Sequence, residues 1–254
     1  MNDSQGLKRL FRRFGDLTGW NERRCSACLT PHSPENDFNL CPDCLSALTR
    51  RSSGYCPRCG EPAARAEAPL ALCGNCLNQD PPWTEFRFYG IFEGHLRDLL
   101  HRGKFAGEMA CLDLLGKMLA SVCMDLSRPD AIVPMPLHYK RLKSRGYNQC
   151  REIARPLAKA LNCPVRDDLL ERTRETAPQT GLNRKQRLTN LDAAFIGLPR
   201  VKGLHVLLLD DTSTTGTSLR QASLALLKAG SRQVDVAVLA HTSAHGSADP
   251  TDFL

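Results

Sequence analysis

The sequence predicts an α/β protein, a parallel sheet flanked by helices, preceded by a small cysteine-rich metal-binding module. Three observations carry this. Four C-x-x-C pairs crowd the first third of the chain. Beyond them, short apolar runs alternate with segments of helical periodicity, the pattern of strand–helix–strand units. One run, Val206, Leu207, Leu208 and Leu209, has the unbroken apolar character of a central parallel strand and leads straight into Asp210 and Asp211.

The pairs are Cys25/Cys28, Cys41/Cys44, Cys56/Cys59 and Cys73/Cys76, separated by 12, 11 and 13 residues. Two thiolates on one tight turn grip an ion, and two such turns complete the tetrahedral four-sulfur set that suits zinc. Eight cysteines therefore predict two closed structural sites with no open position for water, and a module whose folding depends on its metal. Adjacent pairs would make two ribbons and alternate pairs a cross-brace; the spacing leaves both open. Four regular repeats argue against redox chemistry at any one pair. Cys111, Cys123, Cys150 and Cys163 stand in apolar or helical contexts and read as ordinary buried thiols. His32 reads as a loop histidine.

The remaining elements follow in order. Residues 7–20 have the pattern of a short basic amphipathic helix. The start of the chain is broken by charges and lacks the apolar core of a signal peptide, and no apolar run reaches the length of a membrane span. With twelve cysteines, this predicts a reducing, cytoplasmic setting. Residues 61–72 are a Pro/Ala-rich insert and residues 78–83 a linker, so a boundary is expected near residue 82, dividing the chain into 1–82 and 83–254. Residues 86–92 have the aromatic content of a strand. Met109, Leu112, Leu115, Leu119 and Val122 recur at helical spacing. Residues 130–136 read as a short buried strand ending in prolines. A helix over 144–162 is expected, capped by Ser144 or Asn148 and kinked at Pro156. A strand over 204–211, a helix over 219–229 closed by Gly230 and a strand over 234–242 complete the domain. The tail, residues 243–254, is polar and reads as loose.

The formal charge is +7, yet residues 138–187 alone carry 13 Lys/Arg against 5 Asp/Glu. Eight thiolates with two Zn²⁺ lower the total to about +3, so the basic segment stands out further. Such a segment predicts an anionic partner, either a phosphate-rich small molecule or a nucleic acid. In open parallel sheets ligands sit at the carboxyl ends of strands. There Asp210 and Asp211 precede the hydroxyl-rich turn Thr212, Ser213, Thr214, Thr215, Gly216 and Thr217, which ends at a helix start. Backbone N–H groups and the helix dipole at such a turn favour a phosphate. Carboxylates do not; they suit hydrogen-bond donors such as vicinal sugar hydroxyls, or a metal ion. The ligand these demands describe together is a phosphorylated sugar. A P-loop and a dinucleotide-binding glycine fingerprint are both absent.

The stretch 206–217 resembles the phosphoribosyl diphosphate (PRPP) motif of type I phosphoribosyltransferases. The wider chain resembles the ComF family, which includes the competence-associated ComFC proteins. "VPMPLHYKRLKSRGYNQ" (133–149), the Lys104–Phe105 pair and "RTRETAPQTGLNRKQRLTNLDAAF" (172–195) carry that resemblance, with the four cysteine pairs as a double zinc ribbon. It implies a PRPP-binding protein linked to DNA uptake or utilisation, with Mg²⁺ as a companion of the ligand. Asp210 and Asp211 would hold the ribose hydroxyls. Thr212, Ser213, Thr214, Thr215, Gly216 and Thr217 would cradle the 5′-phosphate. Pro134, Met135, Pro136 and Leu137 would lie against the pyrophosphate, and Arg141, Lys143 and Arg145 would contact anionic groups. Residues 172–191 would cover the site. Nucleobase-salvage members often carry an acid where this chain has Thr214, so purine salvage is not implied and the acceptor is not named. Two further readings are a factor holding single-stranded nucleic acid and a regulator that senses PRPP without turnover; other competence proteins would be its partners.

Overall fold

The computed structural model of the chain describes residues 23–33, 36–173 and 194–242. The helix expected over 7–20, residues 174–191 of the expected cover and the tail 243–254 lie outside the described residues. The chain forms two compact units, Met1–Thr49 and Arg50–Leu254.

In the first unit, β1 (Arg23–Arg24) pairs antiparallel with β2 (Pro31–His32). The turn between them closes when Cys25 N–H donates to Thr30 O and Leu29 N–H to Cys25 O, both at 2.9 Å. Helix α1 (Pro42–Ala47) starts at the next cysteine turn, with Cys41 as N-cap and Pro42 at the first position, where a missing N–H is harmless.

The second unit opens with the other two cysteine pairs. Gly60, at φ 80°, donates its N–H to Cys56 O at 2.8 Å and closes the Cys56/Cys59 turn. Helix α2 (Gly74–Asn78) follows Cys73. This ribbon is packed on the sheet: the Tyr55 ring meets the Phe88 edge at 4.8 Å, and Arg51 N–H donates to Tyr89 O at 2.8 Å. Composition changes near residue 82, but packing divides the chain after Thr49, because half of the cysteine module is built onto the α/β domain.

The sheet has four parallel strands in the order β3 (Phe86–Ile91), β8 (Gln233–His241), β7 (His205–Ser213) and β4 (Ala131–Pro134). Val206, Leu207, Leu208 and Leu209 are fully buried in β7, and Val234 and residues 236–240 are nearly so in β8. That explains their continuous apolar sequence: a parallel strand covered on both faces has no polar side to alternate with. The helices are α3 (Gly94–Phe105), α4 (Met109–Ser121), α5 (Tyr139–Arg145), α6 (Gln149–Leu161) and α7 (Thr217–Lys228). A Cβ on Gly116 would lie 2.3 Å from Pro156 Cγ and 2.4 Å from Ile153 O, so α4 and α6 cross at backbone contact. Helix α6 runs unbroken through Pro156, whose ring fills the notch left by the glycine. Helix α7 ends as its sequence predicts. Ser231 N–H bonds Leu226 O, Gly230 N–H bonds Leu227 O, and Gly230 has φ 97°, the left-handed cap that glycine favours. A small hairpin of β5 (Leu170–Arg172) and β6 (Phe195–Gly197), together with α3 and α5, was not foreseen from the sequence.

Candidate functional site

The carboxyl ends of β4 and β7 meet where Met135 N–H donates to Leu209 O at 2.7 Å. That bond carries the pairing of the two strands to the threshold of the acidic doublet. Strand β7 does not stop there: it runs through Asp210, Asp211 and Thr212 to Ser213, and only Thr214, Thr215 and Gly216 form the turn before α7. The two carboxylates lie close together beside Cys150, yet Asp211 is buried and Asp210 half-buried, and they take different partners.

Asp211 points inward and both its oxygens are engaged. Oδ2 takes the Lys104 ammonium and the Gln149 amide, each at 2.9 Å, and Oδ1 accepts the Thr212 hydroxyl at 3.0 Å. Burial opposes its ionisation, but the charge and hydrogen bond of Lys104, with Gln149 and Thr212, outweigh that and hold the carboxyl below its ordinary value. Asp210 is different. Its two hydrogen bonds, from Asp211 N–H at 2.9 Å and the Cys150 thiol at 3.4 Å, both go to Oδ1. Among the described residues Oδ2 has no hydrogen bond. Burial, and then the charge of Asp211, push the Asp210 carboxyl up to about 7. The sequence assigned both aspartates one task; in the structure both oxygens of Asp211 are engaged, whereas only Oδ1 of Asp210 is hydrogen-bonded among the described residues.

The turn that follows is exposed at Thr214 and Thr215 and half-buried at Gly216 and Thr217. Gly216, at φ 69°, is the N-cap of α7 and brings no capping side chain, so the first N–H groups of that helix have no side-chain cap. Glycine serves here for its left-handed backbone. The space a Cβ would fill has only ordinary contacts, at 3.8 Å and beyond. Thr215 and Thr217 share a hydroxyl–hydroxyl bond of 2.7 Å, whereas Ser213 is buried and its Oγ has no hydrogen-bond partner among the described residues. Thr212 is tied to Asp211, so Thr212 and Ser213 belong to the strand and not to the exposed turn.

Residues 145–150, Arg-Gly-Tyr-Asn-Gln-Cys, form a strap whose parts hold the site together. Gly146, at φ 83°, ends α5. The Tyr147 hydroxyl donates to Gly103 O, fixing the strap to the helix that carries Lys104. Asn148 caps α6 by accepting from Cys150 N–H at 3.0 Å, and its amide donates to Met135 O at 3.0 Å, pinning the turn of Pro134, Met135, Pro136 and Leu137. Of the two caps foreseen, Asn148 is used; Ser144 lies inside the separate helix α5. Gln149 accepts from Arg145 at 2.5 Å while donating to Asp211. The guanidinium of Arg145 lies 5.5 Å above the Phe105 ring. Asn148→Ala removes a cap and the donor to Met135 O at once, and is expected to lower stability by about 1–2 kcal/mol in urea unfolding. A loss under about 0.5 kcal/mol would show that the strap is not held at this point.

Arg141 is brought into the same field. Burial, then the positive charge of Arg141, lower the ordinary value of the Arg172 guanidinium in β5, and Asp210 opposes them. Arg141, Arg172 and Asp210 are thus within electrostatic reach of one another. Lys143 is exposed in α5, and nothing among the described residues ties it to the doublet. The sequence reading missed the roles of Lys104, Tyr147, Gln149, Cys150 and Arg172, and foresaw Asn148 as a cap but not as a donor to Met135 O. All six lay in stretches already singled out, but no local rule says which distant atom each one meets. A recess of about 460 Å³ lined by Arg155, Lys159, Asn162 and Cys163 sits at the far end of α6 and takes no part in this arrangement.

The cysteines resolve into adjacent pairs. Cys25, Cys28, Cys41 and Cys44 form one group and Cys56, Cys59, Cys73 and Cys76 another, with all sulfurs of a group within 4.8 Å of one another. A tetrahedron with zinc–sulfur bonds of about 2.3 Å sets its sulfurs about 3.8 Å apart. Cys28 Sγ and Cys41 Sγ are 3.7 Å apart, and Cys59 Sγ and Cys73 Sγ 3.6 Å, far beyond a disulfide and right for a shared ion. Both sets fit structural zinc and leave no position for water. Cys150, Asp210 and Asp211 also converge, but with Lys104 already on Asp211, and with burial and the two aspartates holding the Cys150 thiol well above its ordinary value, they do not make a zinc site.

No helix among the described residues is long and apolar enough to cross a membrane. The chain matches the phosphoribosyl transferase domain over residues 148–252 and the double zinc ribbon domain over residues 22–77. It is 35% identical over 225 residues to the DNA utilization protein YhgH of Salmonella typhimurium, covering 86% of this chain and 96% of that one. It is 32% identical over 223 residues to competence protein F of Haemophilus influenzae, covering 84% and 94% of the two chains. Competence protein ComFC of Bacillus subtilis is 26% identical over 203 residues, covering 76% and 80%. With both domains present, and with such identity over nearly the whole length of the first two relatives, the chain belongs to the ComF family.

Proposed function

We propose that the larger unit binds PRPP at the carboxyl ends of β4 and β7 and serves the uptake or utilisation of DNA, as the names of its relatives suggest. The observation that carries this is the division of labour in the doublet: Asp211 is locked by Lys104 and Gln149, while Asp210 keeps Oδ2 open. In this reading Asp210 accepts the ribose hydroxyls and Asp211 orients the strand end. Thr214, Thr215, Gly216 and Thr217, with the uncapped start of α7, receive the 5′-phosphate. The turn of Pro134, Met135, Pro136 and Leu137 lies along the pyrophosphate, with Arg141, Arg145 and Arg172 as its cations. Lys143 contributes to the attracting field. Mg²⁺ would arrive with the ligand and would supply positive charge that offsets the charge of the leaving pyrophosphate. Where turnover follows, an acceptor displaces pyrophosphate at the anomeric carbon, and the protein acts by positioning and charge stabilisation. Eight cysteines grouped as metal ligands and none in a disulfide support a reducing, cytoplasmic setting.

PRPP with Mg²⁺ at one hundred times its Kd is expected to add about 2.7 kcal/mol of stability, a rise of roughly 5–10 °C in Tm. No rise at millimolar ligand defeats the reading. Release of pyrophosphate on adding bases or nucleic acids separates an enzyme from a sensor.

A second reading has its own support. Helix α5 is basic and exposes Tyr139 at 65% and Leu142 at 45%, and Phe105, beneath Arg145, is exposed at 54%. Aromatic faces amid cations suit single-stranded nucleic acid. Binding that weakens steeply with salt supports that role; salt-independent binding, or none, removes it.

A further inference from the structure

Arg58 lies between Cys56 and Cys59, so its backbone is shaped by the turn that grips the second ion. Its carbonyl oxygen accepts the indole N–H of Trp83 at 2.7 Å. Trp83 is 6% exposed. Its far edge faces the phosphate turn: Cη2 stands 3.8 Å from the place of a Cβ on Gly216. A second tie runs beside the first. Asp80 pairs with the Arg58 guanidinium at 3.0 Å, and its carbonyl accepts from Arg220, one turn into α7, at 3.3 Å. The same cysteine turn presses on the sheet, where a Cβ on Gly60 would come within 2.7 Å of Phe86 Cε1 and 3.2 Å of His241 Cδ2.

One side chain thus spans from a zinc knuckle to the glycine that shapes the candidate phosphate turn. We propose that Trp83 is a positioning residue for that turn, and that through it the ion held by Cys56, Cys59, Cys73 and Cys76 sets the order of residues 212–217. The ion held by Cys25, Cys28, Cys41 and Cys44 belongs to the other compact unit and serves as the control. The consequence for PRPP rests on the functional reading above; the dependence of the turn on the second ion does not. Loss of that ion frees the Arg58 carbonyl and the indole, so the ring beside Gly216 is no longer fixed from the cysteine side.

The test compares the full-length parent with Trp83→Phe, which keeps an apolar ring but removes the N–H, and with Trp83→Ala, Cys59→Ser and Cys28→Ser. Zinc content, amide hydrogen exchange and PRPP affinity in Mg²⁺ are measured for each. Exchange in peptides covering residues 212–219 rises several-fold in Trp83→Phe, Trp83→Ala and Cys59→Ser, while peptides from α6 and all of Cys28→Ser stay at the parent rate over this region. PRPP binds about fivefold more weakly to Trp83→Phe, as expected for one lost hydrogen bond, and more weakly still to Trp83→Ala. A rise spread evenly over the whole unit, or unchanged exchange at 212–219 in Trp83→Phe, overturns the proposal. So does a Cys28→Ser protein that loosens the turn as much as Cys59→Ser. If the parent binds no PRPP, the functional reading fails, and the exchange arm still decides the role of Trp83.

Discussion

Lys104→Met is expected to lower the stability of the protein by about 3–5 kcal/mol at neutral pH, the range for breaking a buried ion pair from one side. The two side chains of the pair are only 8% and 5% exposed. Methionine nearly matches lysine in length, so the loss comes from charge and not from a cavity. Asp211 would be left with two neutral donors, Gln149 and Thr212. In the parent its carboxyl lies below the ordinary value, so the pair adds stability above the unfolded value and loses it as pH falls through the lower folded one. In the variant the sign reverses. A buried carboxylate without its cation titrates above the unfolded value, and stability falls as pH rises from about 4. The deficit should therefore be larger in urea unfolding at pH 7.5 than at pH 5. Adding Asp211→Asn to Lys104→Met should recover most of it, since a neutral amide needs no counter-charge. A loss below about 1 kcal/mol, typical of a surface pair, would show that Lys104 does not govern this carboxylate.

That pair also shows how far the sequence can be read. The strand before the doublet, the cap at Asn148 and the glycine closing α7 were all legible, because each is set within a few residues of chain. The eight metal-binding cysteines were legible by spacing, but their grouping was not: ribbon and cross-brace use the same turns, and only the three-dimensional path of the chain selects adjacent pairs. The different fates of Asp210 and Asp211 were out of reach. The apolar run ended at Leu209, and polar residues after it read as a turn. Extending the strand to Ser213 would not have been enough, since the two carboxylates stay close together beside Cys150 and differ in the side chains that reach them from α3 and α6. Lys104 was noted for its place beside Phe105, yet its partner lies far along the chain, and no periodicity links them. The same holds for Trp83, which read as part of a linker while serving as a brace between the second cysteine turn and Gly216.

Asp210→Asn is expected to make the protein more stable and to abolish its response to PRPP. The stability gain follows from the raised carboxyl. With a folded value of about 7, Asp210 holds a proton across the window from about 4 to about 7 that the unfolded chain has released. Stability contributed by this group is therefore full at low pH and is lost as pH rises through that window. Above it, forcing the buried carboxyl to ionise beside Asp211 costs up to about 4 kcal/mol. Asparagine removes that cost and keeps an oxygen for Asp211 N–H and the Cys150 thiol, both of which use Oδ1 alone. The variant should melt several degrees above the parent at pH 7.5, with well under half of that gain left at pH 5. The loss of response follows from the other side of the group. The amide nitrogen takes the place of Oδ2, so a donor now faces the hydroxyls that an acceptor was there to receive, and each unmatched polar group costs about 1–3 kcal/mol. Opposite signs in one variant are what a functional carboxylate held at the expense of stability should give. A variant that gains stability but still shifts by several degrees with PRPP and Mg²⁺ would leave the acidic doublet without a role in holding the sugar.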